Sequence, residues 1–296
     1  MIPLHAGIIE DTVFELLKKM ATRVPPDVYG ELAKAYAKER QEFAKGHLGL
    51  IMKNIRLARR KSWPLCQDTG VLHFHVRIGP RARLPQNFEK KVLRGVAKAT
   101  REVPLRENVA HPLTRKNTGN NLGTRMPYFS YGLLPRGDAI QLSVVPKAGG
   151  CENWSTLQMF HPSKGWDDIR AFILDWVATS GGRSCTPNVL GVGIGGTGAI
   201  AMELADRASL RPLHLRNRDR FWAKLEADLL RDINSLGIGP MGVGGDTTLL
   251  SVNVEAADTH TSMLPVGVVL QCWALRREAA TIRADGSVRF SNRGAV

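Results

Sequence analysis

Residues 66 to 69, Cys-Gln-Asp-Thr, set a thiol, an amide, a carboxylate and a hydroxyl side by side, and Gly70 and the alternating run "VLHFHVRIG" follow at once. A thiolate is a nucleophile and a soft metal ligand, and a carboxylate can take or give a proton. Cys185 sits in a similar setting, "GRSCTPNVLGVGIGG", rich in Gly, Pro and Thr. Turns of this kind are where a rigid scaffold presents functional groups. Cys151 in "KAGGCENWS" and Cys272 in "LPVGVVLQCWALRRE" complete the set of four. Taken singly, a cysteine in a reducing compartment is usually a small buried hydrophobe. No C-x-x-C pair exists, which argues against a zinc ribbon or a thioredoxin-type motif. Three thiolates drawn from distant segments could instead hold an iron–sulfur cluster. With three cysteines rather than four, one iron keeps an open position for a substrate oxygen.

The elements that must position these groups are legible from periodicity. Ile9, Val13, Leu16 and Met20 recur at helical spacing, as do Phe88, Val92, Val96 and Ala99. So do Ile169, Phe172, Ile173 and Trp176, and Phe221, Leu225, Leu229 and Ile233. Strand-like alternation marks Leu72-Phe74-Val76-Ile78, Ile140-Leu142-Val144, Leu250-Val252-Val254 and Val266-Val268-Leu270. The tail "TIRADGSVRF" reads as a hairpin turning at Asp285-Gly286. The first 60 or so residues are helical in pattern and the strands come later, with no repeat, low-complexity tract or linker between them. The expected fold is therefore α/β (α+β mixed), one domain over residues 1–296 with a helical N-terminal layer over about 1–60.

Composition narrows the class. No apolar stretch is long enough to span a bilayer, and the N-terminus lacks the pattern of a signal peptide. Four scattered cysteines make no disulfide framework, so a cytoplasmic location is expected. The 41 basic side chains exceed the 27 acidic ones, giving +14. The basic residues are spread along the chain without interleaved aromatics, which argues against a nucleic-acid stacking platform. A basic surface that draws in anionic substrates or an acidic partner is the plainer reading. "GVGIGG" at 191–196 satisfies G-x-G-x-x-G, but the text about twenty residues on is the basic "HLRNRDRFWAK", without the acidic strand end of a dinucleotide site.

Longer motifs carry a resemblance. "CQDTG" at 66–70, "PLRENVAHPLTRKNTGNN" at 104–121, "PKAGGCENWS" at 146–155, "SCTPNVLGVGIGGT" at 184–197 and "MGVGGDTTLLSVNVEAADTHTSMLPVGVVLQCWALRR" at 241–277 occur in one order. With them the chain resembles, almost end to end, the α subunit or N-terminal half of the class I fumarase and tartrate dehydratase family of iron–sulfur hydro-lyases. The resemblance implies that fold type, and it implies one [4Fe–4S] cluster on Cys66, Cys185 and Cys272. It implies that Gln67 and Asp68 meet substrate beside the open iron, with Asp68 handling a proton. Arg106 in "PLREN" resembles the family's carboxylate-binding arginine, a role that suits a guanidinium fork. Gly149 and Gly150 resemble a turn whose backbone amides approach substrate, the glycines of 191–196 a close-packed turn after the second cluster cysteine, and His260 in "THTSMLP" matches an active-site histidine. His73 and His75 fall on the polar face of their strand and are assigned no role.

The activity implied is reversible hydration of fumarate to malate, with dehydration of L(+)-tartrate to oxaloacetate as the alternative. Gly150-Cys151-Glu152-Asn153-Trp154 departs from the Gly-Ser-Glu-Asn-Lys typical of the family's fumarases, and its tartrate dehydratases tend to carry a cysteine at the position of Cys151. "GDTTLLSVNVE" leans the other way, toward fumarase. Fused family members add a second domain bearing a further arginine, a lysine and a threonine. No stretch after Cys272 has that length, so the expectation is a separate β subunit, and an α2β2 assembly, to complete the active site.

Overall fold

A computed structural model describes residues 7–103 and 105–291, so that Pro104 of the 104–121 motif lies outside the described residues. Helical periodicity at the start becomes α1 (Ile8–Thr22), α2 (Pro26–Lys38) and α3 (Glu42–Lys61), in accord with a helical part ending near residue 60. The chain groups into two compact units, each assembled from segments far apart in sequence.

The first unit takes Met1–Pro25, Asn54–Ala148 and Arg276–Val296. Its mixed sheet has the order β2 (Tyr128–Leu133), β1 (Val71–Ile78), β3 (Ile140–Lys147), β8 (Glu278–Ile282), β9 (Val288–Ser291). β1 runs parallel to β2, and the remaining neighbours are antiparallel. Alternation on β1 buries Leu72, Phe74 and Val76, and β3 adds Ile140, Leu142 and Val144. Onto this face pack α1 and α4 (Phe88–Glu102), whose i, i+4 stripes supply Val13, Leu16, Met20, Val92, Val96 and Ala99 to the same core. The hairpin expected at Asp285-Gly286 joins β8 to β9, and the Ser287 N–H donates to the Asp285 carboxylate at 2.8 Å.

The second unit takes Pro26–Lys53 and Gly149–Leu275, so the division falls inside α3. Its mixed sheet has the order β4 (Thr156–Phe160), β7 (Leu264–Gln271), β5 (Asn188–Gly196), β6 (Leu249–Thr259), with β5 and β6 parallel. Ile169, Ile173 and Val177 of α6 (Trp166–Ser180) and Leu229 and Ile233 of α8 (Arg220–Asn234) form the core with Leu190, Val192, Val254 and Val268. On α8 the expected stripe begins late, because Phe221 is 60% exposed while Glu226 is buried among the apolar positions. The Glu226 carboxylate pairs with Arg211 and accepts the Val254 N–H at 2.8 Å, which compensates its burial.

The glycines of "GVGIGG" have a packing cause. A Cβ on Gly191 would stand 2.1 Å from the Ala205 carbonyl oxygen, and one on Gly193 would stand 2.0 Å from that of Ala201. α7 (Gly198–Leu210) therefore lies with its backbone directly on β5. The close packing is as expected, but all four glycines stand inside the strand rather than in a turn. A dinucleotide fingerprint would need them in the loop beyond it. Among the described residues no helix is long and apolar enough to cross a membrane.

This packing sets a stability test. Gly193→Ala forces backbone against backbone and is expected to lower the unfolding free energy by about 3 kcal/mol or more. Gly30→Ala, in α2 with open space around its Cβ position, should be neutral or stabilising by up to about 1 kcal/mol. Denaturant titration of both variants measures this, and equal stabilities would refute the backbone contact.

Candidate active site

The residues from Leu65 to Gly70 leave the helical layer and enter β1, and Leu65, Asp68 and Gly70 are held there by hydrogen bonds. The Leu65 N–H donates to the Ala21 carbonyl at 2.7 Å, and its own carbonyl accepts Asn54 Nδ2 at 3.0 Å. The Asp68 N–H donates to the Cys66 thiol at 3.4 Å. Asp68 Oδ1 accepts the Gly70 N–H at 2.8 Å, closing a local turn, and also accepts Nδ2 of Asn108. The Asp68 carbonyl accepts Arg276 Nη2 at 2.7 Å. Gly70 has φ +76, and a Cβ there would meet backbone atoms of Lys147 at 3.0 Å, so the tight entry into β1 requires glycine. Thr69 is buried, Cys66 and Asp68 are half-buried, and Gln67 is exposed.

The segment carrying Arg106 is fixed by Asn121, which is 1% exposed. Asn121 Oδ1 accepts the Asn108 N–H at 2.7 Å, and its Nδ2 donates to the Arg106 carbonyl at 3.1 Å and to Thr100 Oγ1 at 3.2 Å. Asn108 then reaches Asp68 through its side chain, so the two motifs are tied amide to carboxylate. Pro64, Cys66, Gln67 and Arg106 line a cavity of about 470 Å³. The first unit thus brings together Cys66, Gln67, Asp68 and Arg106. The cavity presents a thiol, an amide and an exposed guanidinium, suited to a small anion with oxygen functions.

In the second unit, Cys185 follows a 3-10 turn and adopts φ 59 and ψ 62, a left-handed conformation costly for a residue with a Cβ. Strain of this kind gathers at functional sites. Its carbonyl accepts the Trp273 N–H at 3.3 Å, which ties it to the residue after Cys272. The Cys272 N–H donates to Cys151 Sγ at 3.1 Å. A thiol–thiol contact with Cys272, together with burial, pushes the Cys151 thiol above the ordinary cysteine range, and charge on Cys185 adds to the effect. The Cys185 loop rests on a glycine-rich segment: Thr186 Oγ1 donates to the Gly239 carbonyl at 2.6 Å, and the Met241 N–H donates to the Thr186 carbonyl at 2.9 Å. That segment is anchored in turn by Glu39, which is 3% exposed and accepts the Asp246 N–H at 2.9 Å.

Gly149 and Gly150 open the short helix α5 (Gly149–Glu152). A Cβ on Gly150 would stand 3.7 Å from Cys185 Sγ, so the absence of a side chain leaves that sulfur uncovered from this direction. His260 lies on the exposed turn between β6 and β7, where Nδ1 accepts the Ser262 N–H at 3.2 Å. It precedes β7 and Cys272 follows it, so the strand's length, roughly 25 Å, separates them. The structure thus does not bring His260 to Cys272 within this chain. Asn108, Asn121 and Arg276 are site residues that motif reading passes over.

The donors fit an iron–sulfur cluster in chemistry: thiols on constrained turns, one of them receiving a backbone N–H, as sulfur ligands to clusters do. No ready group of three His, Cys, Asp or Glu side chains is formed among the described residues.

Comparison with known proteins extends these observations. A family model described as fumarate hydratase (fumerase) matches residues 10–281. A Methanocaldococcus jannaschii protein provisionally named L(+)-tartrate dehydratase subunit alpha is 44% identical over 283 residues, covering 95% of this chain and 99% of that protein. The L(+)-tartrate dehydratase subunit alpha of Escherichia coli (strain UTI89 / UPEC) is 31% identical over 284 residues, covering 96% and 93%.

The Asn121 bonds make a prediction. Asn121→Ala removes an acceptor and two donors at a buried position and is expected to destabilise the chain by about 2–4 kcal/mol. Chemical denaturation reads this directly, and a loss below about 0.5 kcal/mol, the range of ordinary surface changes, would show that Asn121 does not hold the Arg106 segment.

Proposed function

We propose, on the premise that the chain belongs to the fumarate hydratase family, that it is the α subunit of a [4Fe–4S]-dependent hydro-lyase acting on a hydroxylated four-carbon dicarboxylate. Family membership makes the chain a hydro-lyase; the cluster, the substrate and the partner are our reading. The observation that carries it is the cavity on which Cys66, Gln67 and Arg106 meet, with Asp68 fixed on the same turn. In this reading Cys66, Cys185 and Cys272 hold the cluster, and residues 1–296 act as one catalytic domain. When bound, the cluster supplies a Lewis-acidic iron that polarises a substrate oxygen.

The protein's own groups do the rest. Arg106 takes one substrate carboxylate in a bidentate contact. Gln67 orients the substrate by hydrogen bonds, and the amides of Gly149 and Gly150 supply a further approach without side chains. Asp68 moves the proton, its Oδ1 steadied by Asn108 and the Gly70 N–H. His260 is given no step, in view of its distance from Cys272. L(+)-tartrate stands first as substrate, since the relatives at 44% and 31% identity bear that name. Fumarate and malate stand second, supported by the description of the family model.

Both relatives are named alpha subunits, which supports a separate β subunit that adds cationic groups for the second carboxylate, and an α2β2 assembly. A cytoplasmic setting goes with this reading, since none of the four cysteines forms a disulfide.

The test is anaerobic reconstitution with iron and sulfide, followed by assay of L(+)-tartrate and malate with and without the β subunit. The isolated chain is expected to bind the cluster yet turn over slowly, because a substrate clamped at one end loses orientation worth orders of magnitude in rate. Cys66→Ser, Cys185→Ser and Cys272→Ser should each lose iron and sulfide, whereas Cys151→Ser keeps them; full cluster content in all three would end the ligand assignment. Arg106→Lys should raise KM about tenfold or more with cluster content unchanged, and unaltered kinetics in the complete enzyme would remove Arg106 from the site.

A further inference from the structure

Arg276 is a buried cation for which the proposed reaction has no use. It is 2% exposed and lies in the first unit just ahead of β8. Its Nη2 donates to the Asp68 carbonyl at 2.7 Å, and its Nε is buried without a hydrogen-bond partner. Burying a guanidinium carries a desolvation penalty of several kcal/mol, which charge-assisted hydrogen bonds must offset. A chain concerned only with stability would place an apolar residue here, since well-packed hydrophobic side chains at buried ionic positions are often at least as stable. The position of the one bond is therefore informative. It restrains the peptide plane that follows Asp68, while the Asp68 N–H, on the plane before it, is restrained by the Cys66 thiol. Asp68 is held on both flanks, and its carboxylate is held separately by Asn108 and Gly70.

We propose that Arg276 is a positioning residue: its guanidinium locks the main chain at Asp68 and so keeps the Asp68 carboxylate and the Cys66 sulfur in one mutual orientation. This rests on the reading of Cys66 and Asp68 as functional groups. Misplacing a reacting group by an ångström can cost a hundredfold in rate, while the substrate contacts assigned to Gln67 and Arg106 do not pass through this bond. The signature is therefore a fall in kcat of about a hundredfold with KM changed by less than about threefold.

The kcat-against-KM split separates positioning from a merely structural role, and hydrogen exchange of the full chain, followed by peptide mass analysis, shows where the main chain loosens. In Arg276→Met, the peptide spanning residues 64–71 should exchange at least about tenfold faster, with β5 unchanged as an internal reference. Arg276→Lys, which keeps a donor on a shorter reach, should fall between Met and wild type in both exchange and kcat. Wild-type exchange at 64–71 in Arg276→Met overturns the proposal, and so does faster exchange spread evenly through the chain. Should Arg276→Met fail to fold, Arg276→Lys decides: intermediate exchange confined to 64–71 supports the proposal, and a wild-type or chain-wide pattern overturns it. A wild-type chain that takes up no cluster and, with its β subunit, dehydrates neither L(+)-tartrate nor malate brings down the functional reading instead; the exchange data stand apart from that outcome.

Discussion

A polar turn between a helical layer and a buried strand must find a partner for each main-chain group it takes out of water. At Leu65–Gly70 the main chain is held by Ala21, Asn54, Arg276 and the turn itself, and the Asp68 carboxylate by Asn108. Each partner comes from a different part of the chain, so the turn takes its shape only once α1, α3, the 104–121 segment and the start of β8 are in place. The groups with chemistry to offer are thereby fixed by tertiary structure rather than by local preference. This is how pre-organisation is built in general: a reacting group whose orientation is set before substrate arrives has less to lose at the transition state.

The second unit achieves rigidity by another route. Where the first holds a turn by hydrogen bonds, the second brings a helix backbone against a strand backbone through Gly191 and Gly193. Helix and sheet then lie closer than side chains would permit, and the Cys185 loop is launched from the start of that strand. A close-packed interior resists small displacements, which suits a loop whose cysteine is held in a left-handed conformation.

Much of this was legible in the sequence, and the failures have physical causes. Local periodicity located α1, α4, β1 and β3, because burial of one face imposes a repeat on the residues that make it. The turn chemistry of Cys66–Gly70 was legible too, since Asp and Gly there satisfy local backbone demands. Asn108, Asn121 and Arg276 were not, because a hydrogen bond to a partner tens or hundreds of residues away leaves no repeat in the text. Glu226 was hidden for a related reason: its burial is offset by Arg211 and by strand β6 rather than by its own helix. His260 and Cys272, twelve residues apart, are set at opposite ends of an extended strand, a separation that the text alone does not display.

The support beneath Cys185 changes what a harmless substitution looks like. Thr186 leans on Gly239, the same segment continues to Asp246, and Asp246 is gripped by Glu39 at the end of α2, with Arg40 paired to its carboxylate. Glu39 bears no resemblance to a ligand or a catalyst. A variant there would pass for a change in a helix-end acid, yet its effect would be inherited by a cysteine loop far along the chain. In a collection of naturally occurring or randomly generated alleles, a displaced Cys185 loop without any altered cysteine would be the phenotype of this distant carboxylate.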